Sequence, residues 1–452
     1  MRSFPLRFIA QKTTQVFRSN QPLSKLMPCR IIRFHYSQEF IHNNNSNNTK
    51  DQSKKDNKTI DIQPQQMIEL FQKLVALRKE EYTEINQESM IIALEQLEPF
   101  IENFNIHQLE YFLVLANEII DIDQKLTDKL FEQNKHLLYS EQSDFNQCLK
   151  VLALLTENPL EEPQLENFIK MIFTILEIPD LDASILGQSI YVYGLIIKQY
   201  QIESKEFYES ITRHLKKIDL DYEEIMAKGK KDSQLINFTQ QDLKLLALGL
   251  YLGGCQSSVL GKYISLKAQS IFVEISNLIL ISKFMFKQES VEQEFLIYFK
   301  QQLEKTKNKI QPDDLMQLAI SIKQMKQPDQ QILEFIVKEF LRTKSNFTIG
   351  DKAFIYQKMA QMLCTSQELW TQFASEVKEI VDQCEWFDAC LMFHGIFDVF
   401  QALSPECQEF IFNYIIGHEN EIDSEMKELL FTKLKEKGII TEEDVEESKK
   451  QK

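Results

Sequence analysis

The chain has 452 residues, 43% of them hydrophobic, with only 11 glycines and 11 prolines. Scarce Gly and Pro exclude a turn-rich β fold and predict an all-α protein, large enough for several units or one long repeat array. The net charge of −16 disfavours long-range attraction of nucleic acid to the whole surface and favours protein partners or simple solubility.

The first 38 residues have the composition of a mitochondrial presequence. Residues 1–38 contain seven Lys or Arg and no acidic residue, interleaved with apolar residues such as Phe4, Phe8 and Phe17. Basic amphipathic segments of this kind are typical of mitochondrial import, whereas a secretory signal has an unbroken apolar stretch. We therefore expect a protein of the mitochondrial matrix. A basic arm that binds an acidic partner is the alternative.

Two further segments are predicted to have no fold of their own. Residues 39–62 are rich in Asn and Lys and lack helical periodicity, which indicates a disordered linker. Residues 439–452 are almost all charged or polar and indicate a disordered tail. We expect no transmembrane segment, because no apolar run in the chain approaches the length of a membrane span.

Residues 63–438 carry a repeated helical pattern. The pattern is an apolar residue, two residues, two adjacent positions that are usually apolar, two more residues and another apolar residue. The clearest copies are Leu243/Leu246/Ala247/Leu250, Leu278/Ile281/Ser282/Met285 and Leu315/Leu318/Ala319/Ile322. Weaker copies begin at Leu109, Phe145, Leu186, Ala353 and Phe387.

Successive copies begin 34 to 41 residues apart, except for one interval of 57 residues. This length suits a unit of two helices, and the segment QQILEFIVKEFL after Asp329 has the spacing of a second helix. The long interval contains a polar stretch near 216–237 that we interpret as an inserted loop. The pattern predicts a right-handed α-solenoid of roughly eight two-helix units whose neighbours stack. One irregular helical domain is the alternative.

The sequence offers no arguable catalytic or cofactor site. Gly253 and Gly254 lack the Lys-Ser/Thr ending of a phosphate-binding loop. Cys390 and His394 stand one helical turn apart and could share a metal ion, but no second ligand pair with zinc-like spacing accompanies them. Buried core cysteines are the interpretation we adopt. We expect no enzyme activity, no cofactor, no metal and no small-molecule substrate.

Residues 311–361 resemble the helical repeats of organellar RNA-metabolism proteins. The polar start Pro312-Asp313-Asp314-Leu315, the Leu-x-x-Leu-Ala helix and the second helix QILEFIVKEFL are similar to heptatricopeptide and octatricopeptide arrays, including the leucine-rich region of the FAST-kinase-like family. The resemblance implies a non-enzymatic factor that binds RNA or an RNA–protein complex in organellar RNA metabolism or translation. The C-terminal segment lacks the strand-rich pattern of the RAP domain with which such proteins often end.

Local lysine clusters are the candidates for RNA binding in this acidic chain. Only three arginines lie beyond residue 60, so phosphate contacts would come mainly from Lys. The candidate patch is Arg213, Lys216, Lys217, Lys228, Lys230, Lys231 and Lys307.

The alternative function is a structural subunit or assembly factor of a mitochondrial complex, such as the respiratory chain, ATP synthase or mitoribosome. The repeats would then serve as a scaffold that holds a protein. A repeat surface bearing Lys and exposed aromatic residues favours RNA. A surface lined with Glu and apolar residues favours a protein partner.

Overall fold

The computed structural model describes residues 65–79, 84–120, 122–138, 144–156, 158, 162–176, 182–201, 211, 238–384, 386–418 and 424–440. The predicted presequence, linker and inserted loop lie outside these ranges, as does the predicted tail beyond Ile440. Those assignments therefore stay predictions.

Eighteen α-helices occupy most of the described residues, and none of these residues lies in a β-strand. The prediction of an all-α protein is confirmed. The helices are α1 (Gln65–Lys79), α2 (Glu84–Leu97), α3 (Ile106–Ile119), α4 (Gln124–Leu138), α5 (Phe145–Leu155), α6 (Glu162–Leu176), α7 (Ala183–Tyr200), α8 (Gln240–Leu252), α9 (Ser258–Ser270), α10 (Ile275–Lys287), α11 (Gln293–Lys305), α12 (Pro312–Ile322), α13 (Gln330–Thr343), α14 (Ile349–Gln361), α15 (Gln367–Gln383), α16 (Trp386–Ile396), α17 (Pro405–Gly417) and α18 (Ser424–Glu436). Three short 3-10 helices are Glu98–Asn103, Lys344–Asn346 and Phe397–Ala402.

Nine helices pack side by side in chain order and are called the first helices here: α3, α5, α7, α8, α10, α12, α14, α16 and α18. Each of them contacts the next along this series. The second helices are α4, α6, α9, α11, α13, α15 and α17, each of which lies between two first helices along the chain. From α8 onward the first helices begin 35 to 38 residues apart. This consecutive packing is compatible with a two-helix repeat.

Hydrogen bonds between neighbouring first helices show that these helices run parallel. Near the N-termini of α10 and α12, Ser276 Oγ donates to Asp314 Oδ2 at 2.8 Å. Near the C-termini of α12 and α14, Lys323 donates to Gln361 Oε1. Since N-terminal ends meet N-terminal ends, the C-terminal ends of the first helices line one edge of the series.

Local sequence sets the starts of several first helices. Asn105, Thr239 and Thr348 precede α3, α8 and α14, and each forms a capping box with the third residue of its helix. Such boxes satisfy backbone N–H groups that have no acceptor within the helix. Pro312 opens α12, a position where its missing N–H costs nothing.

The repeated apolar pattern forms the core of this series. All twelve residues of the three clearest copies are fully buried. The small residues Ala247, Ser282 and Ala319 within these copies let neighbouring helices approach closely. Ser321 Oγ on α12 donates to Ile279 O on α10 at 3.0 Å, so a buried hydroxyl also joins two first helices.

Glycines bring the backbones of α7 and α8 into direct contact. A Cβ atom on Gly194 would overlap the carbonyl group of Gly249, and one on Gly249 would overlap that of Ile190. Two helical turns closer to the N-termini of both helices, a Cβ atom on Gly187 would lie 2.7 Å from Asp242 O. These two helices flank the long interval of the repeat, so they are direct packing neighbours despite the many residues between them in sequence.

Replacing Gly194 or Gly249 with Ala should destabilise the protein by about 2 kcal/mol or more, because the added methyl group meets backbone atoms that cannot move independently. Urea unfolding followed by circular dichroism measures this change. Gly350→Ala is the matched control, since Gly350 lies in the first turn of α14 with no atom near its Cβ position. Equal stability of the Gly194→Ala variant and the Gly350→Ala variant would show that the two backbones are not in contact.

Leu363 ends α14 in the left-handed backbone conformation. Its φ is +54°, and Cys364 N donates to Met359 O at 3.0 Å, which closes the helix end. Gly254 and Gly438 have left-handed backbone conformations after α8 and α18. A branched residue is strained in this conformation, whereas glycine is not. The Leu363 side chain is also 61% exposed.

Leu363→Gly should therefore raise the unfolding free energy by about 1 kcal/mol, since it relieves backbone strain and gives up little buried surface. Thermal or urea unfolding checks the prediction, with Leu429→Gly as a control at a 43% exposed position inside a helix, where Gly should destabilise. A loss of stability on Leu363→Gly would mean that this side chain packs in solution.

Candidate functional site

Lysines stand at the C-terminal ends of several first helices. Lys198 lies in the last turn of α7, Lys287 in that of α10 and Lys358 in that of α14, while Lys323 follows the last residue of α12. Lys283 lies one turn before Lys287. Because the first helices are parallel, these five residues lie along one edge, and we call them the lysine edge.

Neutral amide groups hold two of these ammonium groups. Lys283 Nζ on α10 donates to Gln317 Oε1 on α12 at 2.5 Å. Lys323, after α12, donates to Gln361 Oε1 on α14. Each lysine is thus bound by the next first helix through an acceptor that carries no charge. The positive charge is held in place without being neutralised.

Two other members of the lysine edge lie beside aromatic rings. Lys287 Nζ donates to Tyr251 O at 3.3 Å and lies 4.9 Å from the centre of that ring. Lys358 Nζ lies 4.9 Å from the centre of the Phe354 ring. Within the described ranges, no residue of the lysine edge forms an ion pair with a carboxylate.

Burial and mutual repulsion weaken proton binding at the lysine edge. Burial, followed by the charge of Lys198, lowers the pKa of Lys283 to about 8. Burial and the charge of Lys323 lower the pKa of Lys358 to about 8. Burial also lowers the pKa of Lys287 and Lys323. An anion bound among these groups would relieve the repulsion and raise the pKa values again.

Helix dipoles do not cancel the charge of the lysine edge. Each helix C-terminus contributes about half a negative charge, whereas α7, α12 and α14 each contribute one lysine to this edge and α10 contributes two. The carboxylate of Asp398 after α16 lies 2.8 Å from Lys433 Nζ and 2.9 Å from Lys437 Nζ, so two cations already bind it. The edge from α7 to α14 therefore attracts anions.

Of the candidate residues from the sequence, the structure describes Lys307 alone, and it lies away from the lysine edge. Arg213, Lys216, Lys217, Lys228, Lys230 and Lys231 lie outside the described residues. Lys307 is exposed in the turn between α11 and α12, where the neighbouring Asn308 N donates to Glu339 Oε2 at 3.2 Å. It precedes an N-terminus of a first helix, whereas the lysine edge lies at the C-terminal ends.

A signal for the lysine edge was present in the repeat itself. Lys283, Lys323 and Lys358 stand within or directly after the copies of the pattern that begin at Leu278, Leu315 and Ala353. Comparing positions across the copies would have grouped Lys283 with Lys358, each five residues after the first position of its copy, but not Lys323, which stands eight residues after Leu315. A search for clusters of neighbouring lysines could not have grouped them.

Cys390 and His394 lie together on α16, where Cys390 is buried and His394 is half-buried. In the part of the chain that the structure describes, no three His, Cys, Asp or Glu side chains are placed to hold a metal ion. No described helix is both long and apolar enough to cross a membrane. The sequence matches no protein-family model, and no curated protein is significantly similar to it.

Lys283→Met should raise the unfolding free energy at pH 7 by about 1 to 2 kcal/mol. Lowering the pKa from 10.5 to about 8 means that the charged group costs about 3 kcal/mol on folding, and losing the hydrogen bond to Gln317 offsets about 1 kcal/mol.

The gain should shrink as the pH rises from about 8 to 10.5, because over this range the folded wild-type protein has already released the proton that its unfolded chain still binds. Urea unfolding at several pH values measures both effects. Lys307→Met is the exposed control and should leave stability within about 0.5 kcal/mol of the wild type. A loss of stability in the Lys283 variant would indicate a charged partner for this ammonium group.

Proposed function

We propose that this protein is a non-enzymatic factor of mitochondrial RNA metabolism or translation, and that its lysine edge binds the phosphate backbone of single-stranded RNA. The observation that carries the proposal is the set of lysines on α7, α10, α12 and α14. Of these, Lys283, Lys287, Lys323 and Lys358 have amide groups, a backbone carbonyl or aromatic rings beside their ammonium groups instead of ion-paired carboxylates. The proposal extends the series of parallel helices to a right-handed α-solenoid of the heptatricopeptide or octatricopeptide type in the matrix.

Phosphate is the anion that suits this edge best. Lysine binds phosphate as a point charge and does not need the bidentate geometry of arginine. A line of single charges spread over several helices matches a chain of single negative charges better than one compact ligand. Tyr251 and Phe354 lie partly exposed beside Lys287 and Lys358, where a base could stack. Contacts of this kind bind RNA with little sequence preference.

The acidic net charge is compatible with this proposal because the charges are separated along the helices. Asp242, Asp314 and Asp351 lie in the first turns of α8, α12 and α14, at the opposite end from the lysine edge. Acidic groups elsewhere repel RNA and restrict its binding to the one edge where lysines dominate.

Exposed apolar side chains support the scaffold function as the second candidate. Leu266 on α9 is 46% exposed and Ile297 on the neighbouring helix α11 is 56% exposed, while Phe272 after α9 is 81% exposed. Apolar groups on adjacent second helices can contact a protein partner. RNA on the lysine edge and a protein on the second helices would occupy different surfaces.

A variant with Lys198, Lys283, Lys323 and Lys358 all changed to Gln should bind fluorescein-labelled oligouridine at least about tenfold more weakly than the wild type. Each lost phosphate contact should also reduce the slope of log affinity against log salt concentration by about 0.7. Fluorescence anisotropy over a series of salt concentrations measures both quantities.

The matched control changes four exposed lysines of the second helices and their turns to Gln, namely Lys262, Lys305, Lys307 and Lys338. It removes the same charge and should retain most of the affinity and slope. Equal losses in the two variants would reject the lysine edge as the site. Crosslinking in intact mitochondria, with ultraviolet light for RNA and a lysine-reactive reagent for proteins, then tests the proposed location and partner. Protein crosslinks with no RNA above a mock control would favour the scaffold function.

A further inference from the structure

The amine of Lys358 has the Phe354 ring 4.9 Å away and no charged partner among the described residues. It is half-buried at the end of α14 and has no hydrogen-bond acceptor among the described residues. It is not among the side-chain nitrogens that are both enclosed and unpartnered, so its Nζ atom reaches the surface. Lys323, directly after α12, donates to Gln361, one turn after Lys358, so its ammonium group lies close to this amine.

Two carboxylates on elements packed against α14 are bound by other groups. Glu376 on α15 accepts hydrogen bonds from Lys344 Nζ and from the Tyr356 hydroxyl, both at 3.0 Å. Asp398, in the 3-10 helix after α16, is bound by Lys433 and Lys437. Lys433, Asp398 and Glu436 act on Lys323 or on His394, whereas the charge that acts on Lys358 is that of Lys323.

This setting favours the uncharged amine. A lysine beside a like charge, without a carboxylate and partly out of water, holds its proton weakly, which agrees with the pKa of about 8 at Lys358. At pH 8 about half of such amines are unprotonated, against about one in 250 for a lysine with the ordinary pKa of about 10.4. Uncharged lysine is a nucleophile, as it is in enzymes that desolvate it.

We propose that Lys358 is a modification site that accepts acyl groups from acyl thioesters of the coenzyme A class. The uncharged Nζ attacks the thioester carbonyl carbon, so that a C–N bond forms and the C–S bond breaks. The thiolate leaves with the electron pair of that bond, and the extra proton on nitrogen passes through water to the thiolate. The products are an amide at Lys358 and a free thiol, with no oxidant or reductant required.

The lysine edge also attracts this donor, because coenzyme A carries phosphate groups and Lys323 lies beside the reacting amine. Acylation removes one of the five charges of the lysine edge. We infer that it weakens RNA binding there, and this consequence, unlike the acylation itself, rests on the proposed function.

The test incubates the full-length protein with acetyl-CoA at pH values from 7 to 10 and measures acetylation of each lysine by peptide mass spectrometry. At pH 8, Lys358 should be acetylated roughly tenfold faster than exposed Lys307, because its larger fraction of free amine is partly offset by lower intrinsic nucleophilicity, as in thiols. The Lys358 rate should level off above about pH 8, where the amine is already unprotonated.

A Lys323→Gln variant tests whether Lys358 reacts because a neighbouring charge weakens its proton binding or only because its amine is accessible. Removing the neighbouring charge should strengthen proton binding at Lys358 and slow its acetylation at pH 8 severalfold, with Lys307 unchanged. Equal rates at Lys358 and Lys307, a Lys358 rate that keeps rising to pH 10, or faster acetylation in the variant would overturn the site.

Oligouridine binding by the acetylated protein is measured in parallel, and the expected result is weaker binding. Unchanged affinity at high Lys358 occupancy would reject the control of RNA binding by acylation while leaving the modification site established. Absence of acetylation at Lys358 together with normal RNA binding would reject the modification site and leave the proposed RNA binding intact.

Discussion

Parallel packing of the first helices is the constraint on which the rest of the structure depends. Each of these helices touches the one before it and the one after it, so two of its faces are buried and small residues such as Ala247 and Ala319 are needed at the contacts. Parallel packing also brings chemically equivalent ends together. Residues far apart in sequence, such as Lys198 and Lys283, therefore act on each other.

The ammonium groups of the lysine edge lower the stability of the folded protein. Placing several ammonium groups side by side, partly out of water, opposes folding. Gln317 and Gln361 reduce this cost by satisfying hydrogen bonds, yet a carboxylate at either position would have reduced it further. Retaining uncharged partners keeps the edge positive, which is the arrangement expected where binding is favoured at the expense of stability.

The sequence predicted the helical class and the buried pattern because both depend on local spacing. Helical spacing places Leu278, Ile281, Ser282 and Met285 on one face of their helix, and all four are buried. The capping residues mark the starts of helices. The lysine edge depends instead on which helix ends meet, which no local window contains. A local window detects only adjacent lysines such as Lys228, Lys230 and Lys231, which lie outside the described residues and stay a prediction. The contact of α7 with α8 could not be predicted from the sequence either. Gly194 and Gly249 point to a close approach of two backbones only once these two helices are known to pack together.

Net charge alone does not describe the surface of a protein built in this way. Acidic residues at the starts of parallel helices and lysines at their ends both suit the helix dipoles, so one molecule presents two edges of opposite sign whatever its total charge. The edge with lysines differs from an ordinary dipole-stabilised surface in one respect, since its ammonium groups have no carboxylate partner among the described residues. The phosphate binding that we propose and the reactivity that we infer at Lys358 both rest on that feature, because an ammonium group without a counter-ion can gain an anion or lose its proton.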